Sequence, residues 1–132
     1  MLVKQLSVFV ENREGRMREI AKLLKDNKID IKTISLADTS DYGMLRMVVS
    51  DAEKAYDVLR DAGYPSKVSE LLAVKASNYA GCLYDILEAL SNGVDNIEYL
   101  YTLPAEGEPY IVIKVADPEA ADKLLRDKGI NN

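Results

Sequence analysis

A gap-free internal repeat constrains this chain more than any other feature. At an offset of 66 residues (12 onto 78), Leu6 falls on Leu72, Val8 on Val74, Asn12 on Asn78, Gly15 on Gly81, Ile20 on Ile86, Leu24 on Leu90 and Ile31 on Ile97. Further along, DAEKAYDVLRDAG (51–63) falls on DPEAADKLLRDKG (117–129). A match that holds its register to the end of the chain predicts two copies of one supersecondary unit, at 1–70 and 71–132.

Within a copy the periodicities predict strand, helix, strand, strand, helix. QLSVFV alternates, so Leu6, Val8 and Val10 share one face of a half-buried strand. Met17, Ile20, Ala21 and Leu24 follow at helical spacing, as do Leu83, Ile86, Leu87 and Leu90 in the second copy. IDIKTISL and GMLRMVV flank the polar ADTSDY and predict a hairpin, and DNIEYLYTL and YIVIKV repeat it around PAEGEP. Asp51 and Asp117 are predicted helix N-caps, with Pro118 at a first helical position, and Gly63 and Gly129 are predicted left-handed C-terminal caps. The segment 64–76 can supply both the last strand of the first copy and the first strand of the second. After Gly129 only INN remains, so the second copy lacks its last strand or borrows one. The expected fold is α+β: two tandem ferredoxin-like βαββαβ units, antiparallel sheets with helices on one face. A bare edge in the second unit would favour pairing with another chain, hence a homodimer through strand edges. Apolar residues on both faces of strand two, Ile29 and Ile31 against Ile34 and Leu36, predict that the sheets associate through this region, within the chain or between chains.

Composition excludes several function classes. A formal charge of −5 with no basic cluster argues against a nucleic-acid partner. Tyr99 and Tyr101 lack the basic surroundings and the strand-one aromatics of an RNA-binding sheet, where Phe9 stands alone. With Cys82 the single cysteine and no histidine, the chain offers no intramolecular disulfide, no thiolate or imidazole metal site and no imidazole base. No phosphate loop or nucleophile with a base is readable, so neither a cofactor nor an enzymatic activity is expected. No membrane span or leader is expected either, and a reducing cytoplasmic setting fits best.

Asn12 and Gly15, with Asn78 and Gly81, are the repeated identities that do not look like core. Glycine permits a tight strand-to-helix turn and asparagine readily caps helix starts or turns, which is a structural reason for both. The functional reading places the backbone N–H groups of Gly15, Arg16 and Met17 outward at a helix N-terminus, where a carboxylate is stabilised. Asn12 can accept from an ammonium group and donate to a carboxylate. Arg13 and Arg16 can add bidentate contacts. Cys82, at the matching helix start, suits filler better than a nucleophile.

Paired βαββαβ units whose loops read Asn-x-x-Gly-x-(Met/Leu), with later Ile-Asp-Ile and Asp-Asn-Ile, resemble the ACT domain, an amino-acid-sensing regulatory module. ENREG is similar to the serine-sensing ACT module of phosphoglycerate dehydrogenase, and ISLADTSDYGMLRMVV with NIEYLY resembles free-standing tandem ACT proteins. Glu14 and Ala80 stand where ACT loops commonly carry proline. The resemblance implies a non-catalytic protein that binds a free amino acid between modules, the loop of one facing strand two of the other, and that controls an enzyme or transcription factor. By position, one site would combine Asn12, Gly15 and Arg16 with Asn96, and the other Asn78, Gly81 and Cys82 with Asp30. The first should be preferred by a carboxylate, because Asp30 is anionic and the second loop has no cation. The alternative is a dimerisation module without a small-molecule ligand.

Overall fold

The structure, a computed structural model, describes residues 1–38, 41–91, 93–94 and 96–130. Its elements run β1 (Leu2–Glu11), α1 (Arg16–Asp26), β2 (Ile31–Asp38), β3 (Tyr42–Val49), α2 (Ala52–Asp61), β4 (Ser66–Lys75), α3 (Cys82–Leu90), β5 (Tyr99–Leu103), β6 (Tyr110–Lys114) and α4 (Pro118–Asp127). This is the expected order of strands and helices. The hairpin turn foreseen at ADTSDY includes residues 39 and 40, and Asp95 and the final two asparagines also lie outside the described residues.

The chain divides into two compact units, Lys4–Ser69 and Met1–Val3 with Glu70–Asn132. In the first, β3 pairs antiparallel with both β2 and β1, and the Phe9 N–H donates to the Pro65 carbonyl at the entry to β4 (3.0 Å). In the second, β6 pairs antiparallel with β4 and β5. The Ala73 N–H of β4 donates to the Met1 carbonyl (2.8 Å). The edge expected to be bare is therefore occupied: the second unit borrows residues from the start of the same chain. Asp122 of α4 joins in, paired with the Met1 amino group and with Arg126 (3.3 Å).

Strand alternation decides what faces the helices. Leu6, Val8 and Val10 of β1 sit opposite Met47, Leu45 and Gly43 and close over Ile20 and Leu24 of α1 and Leu59 of α2. In the second unit Leu72 and Val74 meet Ile113 and Ile111 beneath Ile86, Leu90 and Leu125. Burial of such side chains contributes roughly 1.5–3 kcal/mol each before entropy is counted. The helical stripes are narrower than foreseen, since Ala21 and Leu83 are exposed.

Caps end the helices as the sequence predicts. The Asp51 carboxylate accepts from the Lys54 N–H (3.1 Å) and Asp117 from the Ala120 N–H (3.0 Å), each filling one donor that a helix start leaves open. Gly63 (φ 93°) and Gly129 (φ 76°) take the left-handed positions that follow α2 and α4.

Candidate functional site

The two strand-to-helix loops repeat bond for bond. In the first, Arg13 N–H donates to Glu11 O (2.8 Å), Arg16 N–H to Arg13 O (3.3 Å) and Glu19 N–H to Gly15 O (3.0 Å). In the second, Tyr79 donates to Ser77 (2.9 Å), Cys82 to Tyr79 (3.3 Å) and Asp85 to Gly81 (2.9 Å). Gly15 (φ 85°) and Gly81 (φ 95°) occupy the left-handed N-cap positions of α1 and α3. An added Cβ would meet nothing within 4 Å at either glycine, so backbone angle rather than close packing calls for glycine there. Two expectations are corrected. Asn12 does not cap α1, whose N-cap is Gly15 without a side-chain bond. The Arg16 N–H does not point free at a ligand, because it closes the turn on Arg13.

Around the first loop lies a cavity of about 580 Å³, lined by residues 10–18 together with Leu36 and Gly43. It gathers five of the predicted site residues, Asn12, Arg13, Gly15, Arg16 and Met17. Asn12 is exposed there and its side chain has no hydrogen bond among the described residues, while its N–H donates to Asp41 O (3.1 Å). Charge around the loop is partly spent internally. Glu11 takes Arg13 (3.1 Å) and Arg16 (3.8 Å), and Arg16 also reaches Glu19 (3.7 Å). Glu19 in turn accepts from the buried Tyr64 hydroxyl (2.7 Å). Burial and this carboxylate raise the Tyr64 pKa, so its hydroxyl stays a donor. Arg18 has no ion-pair partner among the described residues, and it lines the cavity as well.

The remaining predicted residues fall elsewhere. Asn78 and Gly81 are exposed in the second loop. Cys82, half-buried, lines a cavity of about 370 Å³ with Tyr79, Ser77, Asp85, Tyr110 and others of its own unit. The Tyr79 hydroxyl bonds Asp85 (2.7 Å), and that carboxylate pushes the Tyr79 pKa up to about 12. Asn96 lines a third cavity, about 560 Å³, beside Asp117 and Ala120 at the start of α4. Asp30 is exposed and tied by backbone bonds to Ser50: its N–H donates to Ser50 Oγ (2.9 Å) and its carbonyl accepts from the Ser50 N–H (2.9 Å). Sequence reasoning missed Arg18, Leu36 and Gly43. Arg18 was readable as a third arginine at the helix start, whereas Leu36 and Gly43 reach the cavity only through strand pairing. Among the described residues no cluster of acidic, cysteine or histidine side chains could hold a metal ion, and no helix is long and apolar enough to cross a membrane.

Comparison with known proteins places this geometry. The profile of the ACT domain pair family matches residues 1–131. A crystal structure of a protein from Bacteroides thetaiotaomicron is 32% identical, with a TM-score of 0.90 over 99% of this chain and 91% of that one. The ligand-free regulatory subunit of aspartate kinase from Thermus thermophilus is 17% identical (TM-score 0.65; 93% and 88% covered), and that of Thermus flavus 18% (0.64; 96% and 92%). No curated protein sequence matches the chain.

Proposed function

The chain belongs to the ACT domain pair family, and from that premise we propose that it is a non-catalytic regulatory protein that binds a free amino acid at the loop before α1. The observation that carries this reading is the cavity of about 580 Å³, within the usual size of small-molecule sites, walled by Asn12, Arg13, Gly15, Arg16 and Met17. In this reading Asn12 takes the α-ammonium and the arginines the carboxylate. Asn78, Gly81, Cys82, Asn96 and Asp30 are proposed as weaker contacts of the same kind of ligand. Regulation would follow by population shift: a ligand favouring one arrangement of modules changes what a partner enzyme or transcription factor meets. Likeness in fold to regulatory subunits of aspartate kinase fits a regulatory role of this kind. Pairing of two copies through the edge strands β2 and β5, in the cytoplasm, completes the proposal.

A second reading, a dimerisation module without ligand, is favoured by one observation: Arg13 and Arg16 already face Glu11 and Glu19. Thermal-shift measurement against the twenty amino acids separates the two. A native-state ligand at a hundredfold excess over its Kd stabilises by about 2.7 kcal/mol. A selective rise in Tm that Asn12→Ala abolishes supports the sensor. A protein that responds to none of the twenty is the dimerisation module.

A further inference from the structure

We infer that the cavity beside the 10–18 loop selects an amino acid with an apolar side chain, and that Leu36, laid over Gly43, sets the choice. This rests on the proposed amino-acid site and goes further by naming the ligand class.

The cavity has two kinds of wall. Its polar side is the loop itself, with Asn12, Arg13, Arg16 and Arg18. Its apolar side is Val10, Met17 and Leu36, with the bare backbone of Gly43 between. Leu36 stands opposite the buried Leu45, yet it is 51% exposed on β2, the edge strand of its unit. Covering it would release water from apolar surface, which is favourable in proportion to area.

Glycine at 43 is what lets Leu36 lie where it does. A Cβ on Gly43 would come within 2.9 Å of Leu36 Cδ1, closer than side chains approach, so any larger residue pushes the leucine away from that position. The matching positions of the second unit are Thr102 and Pro109, which offer neither the apolar leucine side chain nor the bare backbone of a glycine.

Charge gives the orientation. Glu11 is engaged by Arg13 and Arg16, leaving Arg18 without an ion-pair partner among the described residues. A ligand carboxylate is therefore drawn toward the arginines at the helix start, and the α-ammonium suits Asn12 and the exposed Glu14. The side chain is then left to Val10, Met17 and Leu36. A hydroxyl, carboxylate or ammonium placed there would lose water without gaining a hydrogen bond, which is costly.

The test is calorimetric titration of the full chain with leucine, isoleucine, phenylalanine, serine, lysine, aspartate and 4-methyl-2-oxopentanoate, repeated on Leu36→Thr. The expected result is apolar amino acids binding at least about 10-fold tighter than serine, with Leu36→Thr removing that preference, a size of effect typical of apolar discrimination. Leu36 is exposed at an edge, so the variant should keep the fold, which circular dichroism would check. Tightest binding by serine, lysine or aspartate, or a preference that survives Leu36→Thr, overturns this inference and leaves the amino-acid site standing. Equal binding of leucine and its 2-oxo analogue supports the apolar wall and overturns the amino-acid reading. Absence of binding by every compound overturns both.

Discussion

The two strand-to-helix loops share a backbone and almost nothing else. Residues 10–18 carry Glu11, Arg13, Glu14, Arg16 and Arg18, whereas 76–84 reads ASNYAGCLY and carries no charge. Glycine, the two turn bonds and the first helical bond recur at both, so the left-handed glycine belongs to the scaffold. The chemistry lies in what differs. One loop surrounds a cavity with cations balanced by Glu11 and Glu19. The other places an aromatic ring, 53% exposed, at the position of Arg13 and ties it to Asp85. The repeated glycine therefore reports geometry, and the charged residues around it are what set the first loop apart.

The largest effects should be alike in the two units and so bear on the scaffold half of the comparison. Leu24→Ala and Leu90→Ala each empty a fully buried site and should cost about 2–5 kcal/mol in chemical denaturation. A cost below 1 kcal/mol in one unit would break the equivalence of the cores. Arg16→Cys imposes the second loop's residue on the first. It should weaken amino-acid binding about 10- to 100-fold by titration calorimetry, as expected for loss of a charged contact, whereas Cys82→Arg should leave that affinity within about twofold. Equal effects from the two would abolish the distinction between the loops. Gly15→Ala and Gly81→Ala should each cost roughly 1–2 kcal/mol through backbone strain alone, since neither Cβ meets a neighbour. Unequal costs, read from denaturation midpoints, would mean that one loop tolerates another backbone.

The smallest effect concerns pH. The Tyr79 pKa is raised from 10.0 to about 12, so the folded state favours the protonated phenol. Its contribution to stability is present below pH 10 and is lost as pH rises through about 12. The difference in Tm between the wild type and Tyr79→Phe should therefore shrink across that window. A difference that stays constant or grows would show that the hydrogen bond to Asp85 is not what protects the phenol.

Local chemistry was legible in the sequence and long-range approach was not. The repeat, the strand alternation of Leu6, Val8 and Val10, and the caps at Asp51, Asp117, Gly63 and Gly129 each depend on neighbours a few residues away, and all are found. The boundaries of β2, read as 29–36 and found at Ile31–Asp38, moved because pairing with β3 sets where a strand ends. Of the two readings open for Asn12, a helix cap is excluded, because glycine at the cap position closes the turn through backbone bonds without a side chain. Arg18 was readable as a third arginine at the helix start, but its spacing alone resembles an ordinary solvated face. Leu36 over Gly43 could not be found from spacing at all, since the two come together only when a hairpin register is fixed.

The start of β1 belongs to the unit formed by residues 70–132, while the rest of that strand belongs to the other. The sequence repeat and the compact units of the fold are therefore out of phase. A gene cut at the repeat boundary would yield one fragment carrying a dangling end and another missing a strand partner for Ala73. The fold thus ties the first residues of the chain to the segment 70–132, so that neither repeat is a self-contained folding unit.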